Sequence, residues 1–258
     1  MYTNPLLRKL DSTNYWPLMI QQSISIIPER RLVFIEVSKA ACTQVKALLA
    51  DVVAYPDRFD RANSPHKKAN TGLKSVAELG EEAVANALTS KDYIRFAVVR
   101  NPYDRILSAY NDKILNAHTI AGNHRYISVA RQIKAKAIGA TFNSINLWRE
   151  PVAFGEFLDH VCNQKSFDMD RHWLPQSEAL WFDHIDYDKI IDMTNLHSGL
   201  KEVFELCGIE ISILSNDERL NAVKNRRKRS ALLPSEKSTI NRIYTRDFSN
   251  FKYRRTKK

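Results

Sequence analysis

Two stretches of this 258-residue chain share one pattern. Leu32-Val33-Phe34-Ile35-Glu36-Val37 is a short, apolar, β-branched run, the mark of a strand buried on both faces. A turn, Ser38-Lys39-Ala40-Ala41, follows it. Val45, Leu48, Leu49, Val52 and Val53 then recur with the spacing of one helical face. Tyr93 to Val99 is the second apolar strand, and it runs into Arg100-Asn101-Pro102. Asn101 can cap a helix whose first residue is Pro102, with Tyr103, Ile106, Leu107 and Tyr110 on one side. Strand, loop and helix in repetition predict an α/β fold: a single domain with a central parallel sheet flanked by helices.

The remaining chain is consistent with that reading. Residues 1–30 lack periodicity and form a lead-in. Residues 55–72 read as an exposed polar loop. Val76, Leu79, Ala83, Val84, Ala87 and Leu88 predict one helix, residues 125–138 another, and Phe154, Phe157, Leu158 and Val161 a short third. Short strands are expected within 181–192. Leu196 to Cys207 is a helical stripe ended by Gly208, and Pro234 opens the last helix. No linker divides residues 1–258, and residues 254–258 read as a disordered basic tail.

Composition excludes several classes. The chain has 44% hydrophobic and 26% charged residues, and no apolar run of membrane-spanning length. No basic start leads into an apolar core, so no signal peptide is expected. The seven glycines stand too far apart for a dinucleotide fingerprint or a standard Walker loop. Cys42, Cys162 and Cys207 form no metal-binding spacing and read as free thiols in a reducing cytoplasm. The net charge is +10, but residues 224–258 alone carry +11. The basic character therefore belongs to a C-terminal segment suited to nucleic acid, an anionic membrane or an anionic cofactor.

Chemistry is concentrated after the two strands. Ser38-Lys39-Ala40-Ala41-Cys42-Thr43-Gln44 opens a helix, where backbone N–H groups and the helix dipole favour an anion. Ala40 and Ala41 let the backbone come close, Lys39 adds a charge and Thr43 a hydroxyl. Arg100 ends the second strand, and Ser108 lies two turns into the next helix. Arginine and hydroxyl together can hold a second phosphate. Two such sites suit a ligand with phosphates at both ends.

Residues 32–49 resemble the 5′-phosphosulfate loop of carbohydrate sulfotransferases, and residues 96–114 resemble that family's 3′-phosphate motif. Asp170 to Gln176, and Ile243 to Phe248 with Phe251 and Tyr253, fit in the same order. The chain is similar to the chondroitin, dermatan and HNK-1 sulfotransferases and their bacterial relatives over about residues 30–253. This resemblance implies a fold of P-loop type and 3′-phosphoadenosine 5′-phosphosulfate as donor, with no metal. It implies in-line transfer of a sulfuryl group to a hydroxyl of a carbohydrate or glycolipid acceptor. Lys39 matches the lysine on the bridging oxygen, Ala40, Ala41, Cys42, Thr43 and Gln44 the phosphosulfate loop, and Arg100 with Ser108 the 3′-phosphate pair. Asn225, Arg226 and Arg227 fall where family members cover the nucleotide.

Two departures stand out. Ser38 replaces a proline that often precedes the lysine. Met193-Thr194-Asn195-Leu196 replaces Phe-Glu-x-Leu, so that glutamate's role is not carried over. His66, in Pro65-His66-Lys67-Lys68-Ala69-Asn70, matches a family segment bearing a base, with His172 as the other candidate. A nucleotide kinase or NTPase would need a Walker lysine and an acidic magnesium ligand. A nucleic-acid binder would need a recognition helix or an aromatic platform interleaved with the charges of 224–230. Neither pattern is present. A cytoplasmic enzyme is expected, or else the luminal domain of a Golgi enzyme. Oligomeric state and peripheral lipid contact stay open.

Overall fold

The computed structural model describes residues 2–13, 19–54, 57–115, 117, 124–139, 151–216 and 229–256. In chain order it runs α1 (Pro5–Asp11), α2 (Met19–Ser23), β1 (Ile24–Ile27), β2 (Leu32–Ile35), α3 (Cys42–Ala54), α4 (Lys68–Thr71), α5 (Val76–Leu79), α6 (Glu81–Thr89) and β3 (Ile94–Val99). It continues through α7 (Pro102–Ala109), α8 (His124–Ala137), α9 (Phe154–Cys162), α10 (Gln176–Ala179), β4 (Lys189–Asp192), α11 (Leu196–Leu206), α12 (Pro234–Ile243) and α13 (Thr245–Asn250). Two compact units result. One holds Met1–Arg100 and Ser166–Ala222, the other Asn101–Lys165 and Val223–Lys258. Neither unit is continuous in sequence, which is why no linker composition marks a boundary.

The first unit contains the sheet, in the order β1-β2-β3-β4. β2 pairs β3 in parallel and β3 pairs β4 in parallel. β1 pairs β2 antiparallel, with Ile24 opposite Ile35 and Ile27 opposite Leu32. The sheet is therefore mixed, and the expectation of a wholly parallel sheet is corrected. The reason is the connection: a single 3-10 turn, Pro28–Arg30, joins β1 to β2 and leaves through Arg31 at φ 47°. A parallel crossover needs a dozen or more residues. The lead-in is likewise corrected, since it supplies α1, α2 and an edge strand. On its outer side β1 exchanges both backbone bonds of Ile26 with Lys74, at 2.9 and 3.0 Å.

The core of this unit lies on the face carrying Phe34 and Phe96, whose ring centroids are 5.0 Å apart. Val45, Leu48 and Leu49 of α3 and Leu200, Val203 and Phe204 of α11 belong to the same buried cluster. α11 comes so close to β4 that a Cβ on Gly199 would meet Ile191 Cγ2 at 2.5 Å. It ends as expected at Gly208, φ 61°, with Gly208 N–H on Glu205 C=O and Ile209 N–H on Phe204 C=O. The helix expected over 76–88 is instead two, α5 and α6, broken at Gly80 with φ 80°. No helix among the described residues is long and apolar enough to cross a membrane.

In the second unit Asn101 Oδ1 accepts the Tyr103 N–H at 3.1 Å, with Pro102 in the first turn of α7. The helix continues as a π-helical stretch, Tyr110–Leu115. Tyr110 packs on Phe154 and Phe157 of α9, at 5.1 and 5.7 Å, and Tyr103 on Phe248 of α13, at 5.1 Å. The Leu233 N–H donates to Glu236 Oε2 at 2.8 Å at the start of α12. The basic tail is held through Thr256, whose N–H donates to the Tyr103 hydroxyl at 2.9 Å; residues 257–258 lie outside the described residues.

Candidate functional site

The turn between β2 and α3 has an unusual backbone. Lys39 sits at φ 70° and Ala41 at φ 61°, both in the left-handed region and neither a glycine. Such conformations cost about 1–3 kcal/mol each and persist where the surroundings hold them. Ala40, almost fully buried between them, donates its N–H to Val37 C=O at 3.2 Å. The Val45 N–H reaches Ala41 C=O at 3.0 Å and starts the helix. Cys42, Thr43 and Gln44 form the first turn of α3, all half-buried. N–H groups in a first turn have no acceptor within their own helix, so the turn presents partial positive charge.

Several cations converge on this turn. Arg100, one residue beyond β3, donates from one terminal nitrogen to Lys39 C=O at 3.2 Å. Its backbone is held by Gln176: the Arg100 N–H donates to Gln176 Oε1 at 2.9 Å, and Gln176 Nε2 donates to Arg100 C=O at 2.8 Å. Glu36, fully buried at the end of the β2 run, pairs with Lys46 of α3 and with Arg171. Arg171 also donates from Nε to Ser38 Oγ at 3.0 Å. The hydroxyl at Ser38, where the family often has proline, thus has a partner that proline lacks.

His66 is brought to the turn across a long loop, with its Nε2 hydrogen-bonded to Thr43 Oγ1 at 2.9 Å. Glu36, Cys42 and His66 each offer one ligand atom within 4.8 Å of the others. A cation there would compete with Lys46 and Arg171 for the Glu36 carboxylate. Lys68, two residues past His66, donates to Ile24 C=O. Burial, aided by the charge of Lys46 and opposed by Glu78, pushes its pKa down to about 7. His172, the other candidate, has its Nδ1 on Asp170 Oδ1 at 2.7 Å, with Asp170 buried.

Ser108 lies half-buried in the second turn of α7, in the second unit. Asn225, Arg226 and Arg227 lie outside the described residues. Arg229 stacks over Tyr103 at 4.7 Å and stands 3.9 Å from Asp104. At the end of β4, Asp192 Oδ1 accepts the Thr194 N–H at 2.7 Å, so an acid stands two residues before the position of the missing family glutamate. Sequence reasoning missed Arg171 and Gln176 as partners of the turn. Both stand in the matched Asp170–Gln176 segment, but which backbone or side chain each would meet had no local signal.

A β-strand, a strained turn, a helix N-terminus and converging cations meet at the carboxyl end of the parallel strands. The sequence profile of the sulfotransferase family matches residues 22–254, and the chain belongs to that family. Carbohydrate sulfotransferase 11 of Mus musculus is 26% identical over 188 residues, covering 70% of this chain and 51% of that protein. Carbohydrate sulfotransferase 14 of Homo sapiens is 25% identical over 177 residues, 68% of this chain and 44% of that protein. Carbohydrate sulfotransferase 10 of Xenopus laevis is 23% identical over 267 residues, 98% and 73% respectively. The chain spans about half the length of the first two. No solved structure matches it significantly.

Proposed function

We propose that this protein transfers a sulfuryl group from 3′-phosphoadenosine 5′-phosphosulfate to a hydroxyl of a carbohydrate or glycolipid, on a fold of P-loop type. One observation carries the reading: the left-handed turn at Lys39 and Ala41 opens α3 and is bonded to Arg100 at 3.2 Å, in a chain of the sulfotransferase family. The fit is chemical. A helix N-terminus, two small residues and two flanking cations suit a dianionic group held close to backbone.

In this reading Ala40, Ala41 and the first turn of α3, Cys42 to Gln44, bind the phosphosulfate. Lys39 neutralises charge on the bridging oxygen as its bond to sulfur breaks. Arg100 takes the 3′-phosphate, and Ser108, further along the chain, is assigned to the same phosphate by the resemblance. His66 takes the acceptor hydroxyl's proton at Nε2, the nitrogen beside Thr43, while the acceptor oxygen bonds to sulfur. Sulfuryl transfer mainly needs in-line positioning and charge neutralisation, and these residues supply both.

The test is calorimetric titration with adenosine 3′,5′-bisphosphate in the absence of magnesium, followed by a donor-dependent transfer screen over glycans read by mass spectrometry. Binding of the bisphosphate and a mass gain of one sulfate support the proposal. Binding of ATP with magnesium, or of oligonucleotide, in place of the bisphosphate would overturn it.

A further inference from the structure

Four residues of chain separate Arg171 from Gln176, and these two touch both halves of the proposed donor site. At one end Arg171 donates to Ser38 Oγ at 3.0 Å and to Gln22 Oε1 at 2.7 Å, and pairs with Glu36. At the other end the Gln176 amide holds Arg100 by both backbone groups, at 2.9 and 2.8 Å. Between them the Trp173 and Leu174 N–H groups close a turn onto Asp170 C=O at 3.0 and 2.8 Å, with both side chains buried. The two contact points therefore belong to one short packed piece.

Arg100 lies just beyond Val99, the last residue of β3 paired with β4. There the side chain of Gln176, fully buried, continues the ladder in place of a strand. The Gln amide places a neutral donor and an acceptor in one plane, which is what an N–H and a C=O of one residue require. Fixing the Arg100 backbone fixes where its side chain starts, and the guanidinium reaches Lys39 C=O from there.

We infer that Gln176 is a positioning residue for the nucleotide. It aims Arg100 at a phosphate, while Arg171 on the same piece holds the turn that receives the other end of the ligand. The segment thereby sets the separation between the two phosphate positions. This inference rests on the donor reading above.

The full chain is titrated with adenosine 3′,5′-bisphosphate and with adenosine 5′-monophosphate, at pH 5 and pH 8. Wild type is expected to prefer the bisphosphate at both. Gln176→Met keeps the volume and removes both bonds, and is expected to cut that preference tenfold or more with the monophosphate affinity unchanged. Gln176→Glu is expected to match it at pH 8 and to regain preference at pH 5. There a protonated carboxyl can again both donate and accept, and burial favours that protonated form. An unchanged preference in folded Gln176→Met, or equal losses for both nucleotides, overturns the inference. If that variant does not fold, Gln176→Glu decides, and a preference that ignores pH counts against it. A wild-type protein with no preference for the bisphosphate sinks the donor reading instead, and this inference with it.

Discussion

Thr43 Oγ1 and His66 Nε2 lie 2.9 Å apart, although 23 positions separate them in the chain. The contact ties the loop after α3 to the first turn of that helix. It places an imidazole beside the turn where the sulfuryl group is proposed to sit.

His66→Ala is expected to lower kcat by about 100-fold or more, the usual contribution of a positioned general base. Affinity for adenosine 3′,5′-bisphosphate is expected to stay within a few-fold of wild type. Steady-state kinetics and calorimetry on one preparation check both, and near wild-type turnover would remove His66 from the chemistry.

Lys39→Ala is expected to reduce turnover about 100- to 1000-fold, since its charge matters most as the bridging oxygen becomes negative. Donor affinity is expected to change little. A rise in the donor KM with kcat preserved would assign the lysine to ground-state binding instead.

Arg100→Ala and Ser108→Ala are expected to weaken the bisphosphate selectively. A hydrogen bond to a charged group contributes about 1.5–3 kcal/mol, so the arginine variant is expected to lose tenfold or more. Adenosine 5′-monophosphate serves as the control, and an equal loss there would mean that the residues act through the fold.

Lys68 gives stability a pH dependence. In the folded chain its pKa falls to about 7, against an ordinary value of 10.5. Between those values the unfolded chain binds more protons, so this group's contribution rises with pH. Its penalty is full below about pH 7 and fades toward pH 10.5. The Tm of Lys68→Met relative to wild type is therefore expected to be most favourable near pH 6 and to decline by pH 9. A difference that does not vary with pH would refute the shift.

Gly199→Ala is expected to destabilise the fold, by about 1–3 kcal/mol from overpacking, even though alanine is the better helix former. The added Cβ would meet Ile191 Cγ2 at 2.5 Å. Denaturant unfolding measures it, and a stabilised variant would show that α11 and β4 can part without cost.

The parts legible in sequence are those whose causes are local. The β2 and β3 runs, the Asn101-Pro102 start of α7 and the Gly208 stop of α11 each declare themselves within a few residues. β1 did not, because Ile24-Ser25-Ile26-Ile27 has too few residues to show a period and is made a strand by its pairing with β2 and Lys74. Gly80 splits a pattern that reads as one helix, since apolar spacing does not report a positive φ. The turn at 38–44 was visible as an anion site from its position after a buried strand. Its contacts to Arg171 and Gln176 were not, because they span 133 residues in one case and run through Arg100, 76 residues from Gln176, in the other.

The left-handed turn at Lys39 and Ala41 is built without glycine. A glycine at either position would leave the unfolded and unliganded backbone more conformational freedom. Here side chains at both positions have already narrowed the backbone's choices, and folding has already met the cost. Association of the proposed nucleotide donor would then have little ordering to do at this turn. Its calorimetric signature follows: a small entropic penalty from this turn, and affinity that tracks charge neutralisation more than loop closure.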